Sequence, residues 1–282
     1  MDAPAIAGPF EQPVPASIRA AGGVRLRFER HAGRTFRMQV AESGGYRARF
    51  PDTFEPSCEA VLINTGGGMA GGDRMRVEIA LGPGAVAVVT TQAAEKIYRS
   101  QGLATAIDTS LSVESGASLA WIPQESILFS QARLRRSLSI ELAPDARLVA
   151  CESVFFGRSA MGESLGQGAL RDRWRLRRGG RLVFAEDLRL EGALNALLAR
   201  PAIGAGAQAA ATLLVVGPDL GGQCELARAL LAQEEAVEGG AGILSDLLVI
   251  RLVSGRAEAL RRVLVMLLSQ VTGRALPRTW SS

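Results

Sequence analysis

Histidine is almost missing from this chain: His31 is the only one in 282 residues. Lysine is reduced to Lys96, and the three cysteines, Cys58, Cys151 and Cys224, stand far apart with no CxxC pair. Each shortage excludes a chemistry. A Cys/His zinc site has no local cluster to build from. A Ser–His or Cys–His nucleophile would have to use His31, which sits between Glu29-Arg30 and Ala32-Gly33 and reads as a surface turn. An odd, scattered cysteine count belongs to a reducing compartment rather than to a disulfide framework. No apolar run approaches the roughly 18–20 residues that span a bilayer. The most apolar windows, 213–216 and 263–268, are far shorter, and the mean hydropathy is only +0.16. Residues 1–16 are rich in Pro and Ala, without the basic start and apolar block of a secretory signal; a flexible tail is expected over 1–22.

What remains is an ordinary globular composition, 48% apolar and 21% charged, in a chain long enough for a large core. The net charge is +4. That is too small to point to nucleic acid. The arginines are spread out except over 171–178, where they alternate. Such a strand has either a solvated face or a face for an acidic partner.

Periodicity is mostly two. Val24, Leu26 and Phe28 alternate with Arg25 and Arg27; Phe36, Met38 and Val40 with Arg37 and Gln39; Val77, Ile79 and Leu81 with Glu78 and Ala80; Leu138, Ile140 and Leu142 with Ser139 and Glu141. Each pattern predicts a half-buried strand. Turn signals separate them, and 171–191 reads as a hairpin closed at Gly179-Gly180. No repeat of fixed period is visible. The last third changes character. Helices are expected over 225–237 and 257–271, the second with Leu260, Val263, Leu264, Leu267, Leu268 and Val271 on one face. Buried strands are expected over 209–216 and 247–253. The whole predicts a mainly β, single domain over 23–282, β-rich to about 190 and mixed beyond.

Four segments carry candidate chemistry. The first is Asn64-Thr-Gly-Gly-Gly-Met-Ala-Gly-Gly-Asp73. Gly66, Gly68 and Gly71 satisfy G-x-G-x-x-G, but a strand pattern follows where a dinucleotide site needs a helix. No Gly-Lys-Ser/Thr of a P-loop is present either. The loop reads as a tight turn, or as a place where another chain or ligand approaches the backbone through Gly67, Gly68, Gly71 and Gly72. The second segment, around Lys96, Tyr98 and Arg99, reads as amphipathic surface. The third, Trp121 to Phe129, sets Gln124 and Glu125 among bulky apolar residues. Glu125 has no basic neighbour in sequence before Arg133, so it is open to either a structural or a hydrated, cation-attracting role. The fourth, Phe155 to Glu163, brings Arg158 and Glu163 into one Gly-flanked turn, where an ion pair is the simple expectation. Asp73, Glu125 and Glu163 would also suit the acid/base work of a β-solenoid enzyme on an anionic or carbohydrate substrate.

In this order and at these spacings, the four segments resemble the urease accessory protein UreD (UreH) family. The matching pieces are 64–73, Thr91 to Ser100, Trp121 to Phe129, Gly157 to Glu163, and the ending Leu276-Pro-Arg-Thr-Trp280. Glu95 stands where a small residue is usual. The resemblance implies a β-helix-like stack of strands with a small helical part and no enzyme activity of its own. It implies a cytoplasmic scaffold that binds UreF and, with the GTPase UreG, assembles on apo-urease to deliver nickel to a site containing a carbamylated lysine. Tunnels through such proteins are thought to conduct the nickel. No permanently bound cofactor is expected, only transient Ni²⁺. Oxygen ligands and water bind nickel more loosely than Cys or His would, which suits passage better than storage. Neither nucleic acid nor membrane is an expected partner.

Overall fold

A computed structural model describes residues 19–53, 55–157 and 165–281. The period-two segments become strands of two packed sheets. After β1 (Ala21–His31), β2 (Arg34–Ser43) and β3 (Tyr46–Arg49), the chain runs through β4 (Cys58–Asn64), β5 (Arg74–Leu81), β6 (Val86–Thr91), the short β7 (Glu95–Ile97), β8 (Thr105–Val113), β9 (Ser118–Trp121), the short β10 (Ser126–Leu128), β11 (Arg133–Leu142), β12 (Arg147–Phe156) and β13 (Gln167–Arg178). Successive long strands fall alternately in one sheet and the other, so each passage adds one rung to a stack. Strands of successive rungs pair in parallel. This is the β-helix-like architecture that the resemblance implied.

The hairpin of β13 with β14 (Arg181–Ala193) closes the stack. Gly179 and Gly180 adopt φ of 56° and 79°, the positive values a type I′ turn needs at both central residues. There follow α1 (Leu194–Leu198), β15 (Ala209–Val216), α2 (Leu220–Leu231), β16 (Glu238–Leu244), β17 (Leu247–Ser254) and α3 (Ala257–Thr272). One sheet has the order β14-β13-β11-β8-β5-β1-β2. The other runs β16-β17-β15-β12-β9-β6-β4-β3, with β10 also beside β12 and β7 beside β10.

The main core lies between the sheets. The inward phase of each strand fills it: Leu26 and Phe28, Ile79 and Leu81, Leu138 and Ile140, with Leu119 and Leu148 facing them. Each such side chain contributes about 1.5–3 kcal/mol on burial. A second core lies on the far side of the ten-stranded sheet, where Ile122, Cys151, Leu213 and Ile250 meet Leu260, Val263, Leu264 and Leu267 of α3. Strand β12 is therefore buried on both faces from Leu148 to Phe156, and its sequence is apolar on both faces except at Glu152 and Ser153. No helix among the described residues is long and apolar enough to cross a membrane.

Three expectations need correction. Strand β2 forms where expected but is not half-buried. It is the edge of its sheet, and its pairing with β1 shifts register between Arg27 and Phe28. The shift breaks the common phase, and Phe36, Met38 and Val40 are 47%, 56% and 40% exposed. The helix expected over 225–237 instead spans Leu220–Leu231. It starts earlier because the Asp219 carboxylate accepts from the Gly222 N–H and caps it. Ala21 and Gly22, expected in the tail, belong to β1 and pair with Arg74 and Met75, while residues 1–18 lie outside the described residues.

Candidate functional site

The Gly-rich loop joins β4 to β5, so a strand follows it. Asn64 organises its start. The Asn64 carboxamide oxygen accepts from the Gly66 N–H at 2.9 Å, and its NH₂ donates to the Gly68 carbonyl at 3.3 Å and to the Glu95 carboxyl at 2.9 Å. Asp73 fastens the end. Its two oxygens accept from the backbone N–H groups of Ala20 and Ala70, both at 2.8 Å, and it is 8% exposed. Asp73 is thus held as a loop clasp.

The loop lies against the second segment as a strand would. Met69 N–H donates to the Lys96 carbonyl at 2.7 Å, and Tyr98 N–H to the Met69 carbonyl at 2.8 Å. Gly68 sits at the closest approach, with φ of 149°. A Cβ there would stand 2.5 Å from the Tyr98 ring and 2.8 Å from the Lys96 carbonyl oxygen. Only glycine fits. The close approach expected of this loop is thus made by the protein's own chain. The Tyr98 hydroxyl donates to the Gly67 carbonyl, and its ring packs edge-on to Phe129 at 5.0 Å. Gly71 accepts from the Arg19 guanidinium. Arg99 is exposed, in a bridge pairing with Ala132.

The third segment meets the C-terminus. Gln124 is buried, and its NH₂ donates to the Thr279 carbonyl at 3.1 Å. Arg261 of α3 donates to Gln124 at 2.6 Å and to Glu125 at 2.8 Å, and its guanidinium stacks over Trp280 at 5.2 Å. The Trp280 indole N–H is shared between the Thr90 hydroxyl and the Ile122 carbonyl. Glu125, which has no basic neighbour in sequence before Arg133, is ion-paired across 136 residues of chain. Its side chain is 12% exposed, and the pair holds α3 to the stack. Arg158 and Glu163 lie outside the described residues.

Several of these residues converge on one cavity of about 240 Å³ that opens at the surface beside Gly67 and Lys96. Asn64, Gly67, Gly68, Lys96 and Gln124 line it, whereas Asp73, Glu125 and Arg99 do not. Glu95 also lines it, and burial pushes its carboxyl up to about 7 against the stabilising hydrogen bond from Asn64.

Arg136 and Glu152 form the inner wall, part of a charged network the sequence reading missed. Arg136 on β11 pairs with Glu152 of the opposite sheet at 2.7 Å and with Asp172 on β13. The Trp121 indole N–H donates to Glu152 at 3.1 Å. Burial works against the Arg136 charge, but Asp172 and Glu152 outweigh it and raise its pKa; burial also raises that of Glu152, with Arg136 opposing. The signal was in the sequence. Arg136 falls in phase with Leu134 and Leu138, and Asp172 with Leu170 and Trp174, so both occupy inward positions of alternating strands. Among the described residues no three His, Cys, Asp or Glu side chains gather as a metal cluster.

A family model described as "UreD urease accessory protein" matches residues 20–281. The chain is 46% identical over 267 residues to the urease accessory protein UreD of Rhodopseudomonas palustris strain HaA2, covering 94% of each. It is 44% identical over 267 residues to that of Azorhizobium caulinodans, covering 95% of this chain and 98% of the relative. It is 46% identical over 273 residues to that of Methylobacterium sp. strain 4-46, covering 95% and 97%.

Proposed function

Because the chain belongs to the UreD urease accessory protein family, with a role in urease maturation, we propose that it is a non-catalytic cytoplasmic scaffold that binds UreF and, with UreG, assembles on apo-urease for nickel delivery. The match over residues 20–281 carries this reading. Nickel is cargo here, not a resident cofactor. The polar groups lining the cavity include Glu95, Asn64 and Gln124. Such oxygen donors exchange a divalent ion readily, as transfer requires and storage does not.

The carboxylate-enzyme alternative draws no support from the geometry. Asp73 is engaged by two backbone amides and Glu125 by Arg261. Neither faces the cavity with the other, as shared acid/base work would need.

The test is a deletion strain grown at limiting nickel. Urease should be expressed and assembled, yet inactive and poor in nickel, and restoring this gene should restore the metal content. Normal urease nickel in the deletion strain would refute the proposal.

A further inference from the structure

The outward faces of the two sheets differ in kind. The ten-stranded sheet turns apolar residues outward and covers them with α2 and α3. The seven-stranded sheet turns an exposed polar face outward, and its parallel register lays that face out in rows. One row reads Arg25, Glu78, Ser110, Ser139 and Arg175 across β1, β5, β8, β11 and β13; the next reads Arg27, Ala80, Ser112, Glu141 and Arg177. In these two rows the middle is floored mostly by short side chains, with an arginine at each end; the row before them reads Arg76, Asp108, Ser137 and Arg173 across β5, β8, β11 and β13. From β1 to β13 is four interstrand steps, about 19 Å. An α-helix with its side chains is about 10–12 Å across and fits between those ends.

On β1, Arg25 pairs with Glu78 and Arg27 with Glu29, and on β13 Arg177 pairs with Glu141, so the surplus positive charge lies with the remaining arginines of β13 and with Arg74 and Arg76 on β5. Asp187 alone serves both Arg171 and Arg173, at 2.9 and 3.4 Å. Arg74 and Arg76 on β5 have no ion pair among the described residues. Carboxylates interleaved among the arginines, such as Glu78 and Glu141, would repel a continuous run of phosphates. They leave room for a protein that supplies carboxylates at discrete positions.

We propose that this face docks an acidic amphipathic helix of a partner protein, its small-residue side on the Ala80–Ser110–Ser112 floor and its carboxylates against the arginines of β13 and Arg74 and Arg76 of β5. The identity of the partner rests on the scaffold reading above.

Purified UreF, UreG and apo-urease serve as probes, each titrated against the full chain and two variants. Ser112→Trp fills the floor; Arg173→Glu with Arg177→Glu reverses charge on β13. The wild type should bind one probe with an affinity that falls steeply as salt rises. Each variant should weaken that binding about tenfold or more while its melting temperature stays unchanged. A control on the far sheet edge, Ile243→Ser, should leave it intact. If Ser112→Trp fails to fold, the double reversal decides. Wild-type affinity in the variants overturns this inference and leaves the scaffold reading standing. A wild type that binds none of the probes overturns both. Binding of a DNA duplex in place of every protein probe also overturns it.

Discussion

Glu95 lines the cavity from a partly buried position. Its carboxyl is pushed from an ordinary 4.5 up to about 7 by burial. Between those two values the folded protein keeps a proton that the unfolded chain has released. Stability therefore falls as pH rises from 4.5 toward 7, and above 7 the full cost of burying the charge is present. Glu95→Gln keeps an acceptor for Asn64 and removes the titration. At about pH 8 the variant should be the more stable, by on the order of 3 kcal/mol at most. Near pH 4.5 the difference should vanish. Urea unfolding at the two pH values checks this, and an equal gap at both would show that Glu95 does not titrate with folding.

Helix α3 shows the same contrast at the scale of an element, between two arginines side by side. Arg261 and Glu125 have side chains 21% and 12% exposed, and Arg261 also reaches Gln124 and Trp280. Arg262 pairs with Glu234, but its side chain is 56% exposed. An exposed pair is worth about 0–1 kcal/mol; hydrogen bonds to partly buried charged groups are worth about 1.5–3 kcal/mol. Arg261→Ala should therefore destabilise by about 2 kcal/mol and shift the fluorescence of Trp280, whereas Arg262→Ala should do neither. Equal effects in denaturant titrations would mean that α3 is held by its apolar face alone.

At the scale of the whole molecule, three layers enclose two large cores, with a third apolar cluster around Met69, Ile97, Leu128 and Leu170, and the cysteines sample the layers. Cys151 lies on β12 in the middle layer and Cys224 on α2, both buried, while Cys58 on β4 is half-buried. Burial raises the thiol pKa of Cys58 and of Cys151, which lowers the reactive thiolate fraction of each. In native buffer a disulfide reagent such as DTNB should modify Cys58 slowly and leave Cys151 and Cys224 unmodified. In denaturant all three should react together. Equal native rates at all three would show that the helical layer opens locally from the sheet.

The sequence alone determined whatever depends on neighbours in the chain. Alternation is local, so β5, β11 and the β13–β14 hairpin were legible, as were the bounds of β15 and the start of α3. Motif order was legible too, and with it the family. The tertiary structure alone decided which alternating strands are covered. β2 and β5 carry similar patterns, yet β5 has a sheet over it and β2 is an edge with broken register. It also decided how charges pair. Arg136 and Asp172 stand visibly in the apolar phase of their strands, but Glu152 joins them only because the stack brings the two sheets face to face. Glu125 found Arg261 because α3 folds back onto the third segment from far along the chain. Burial and ion pairing are set by what arrives from a distance, and no window of sequence contains that.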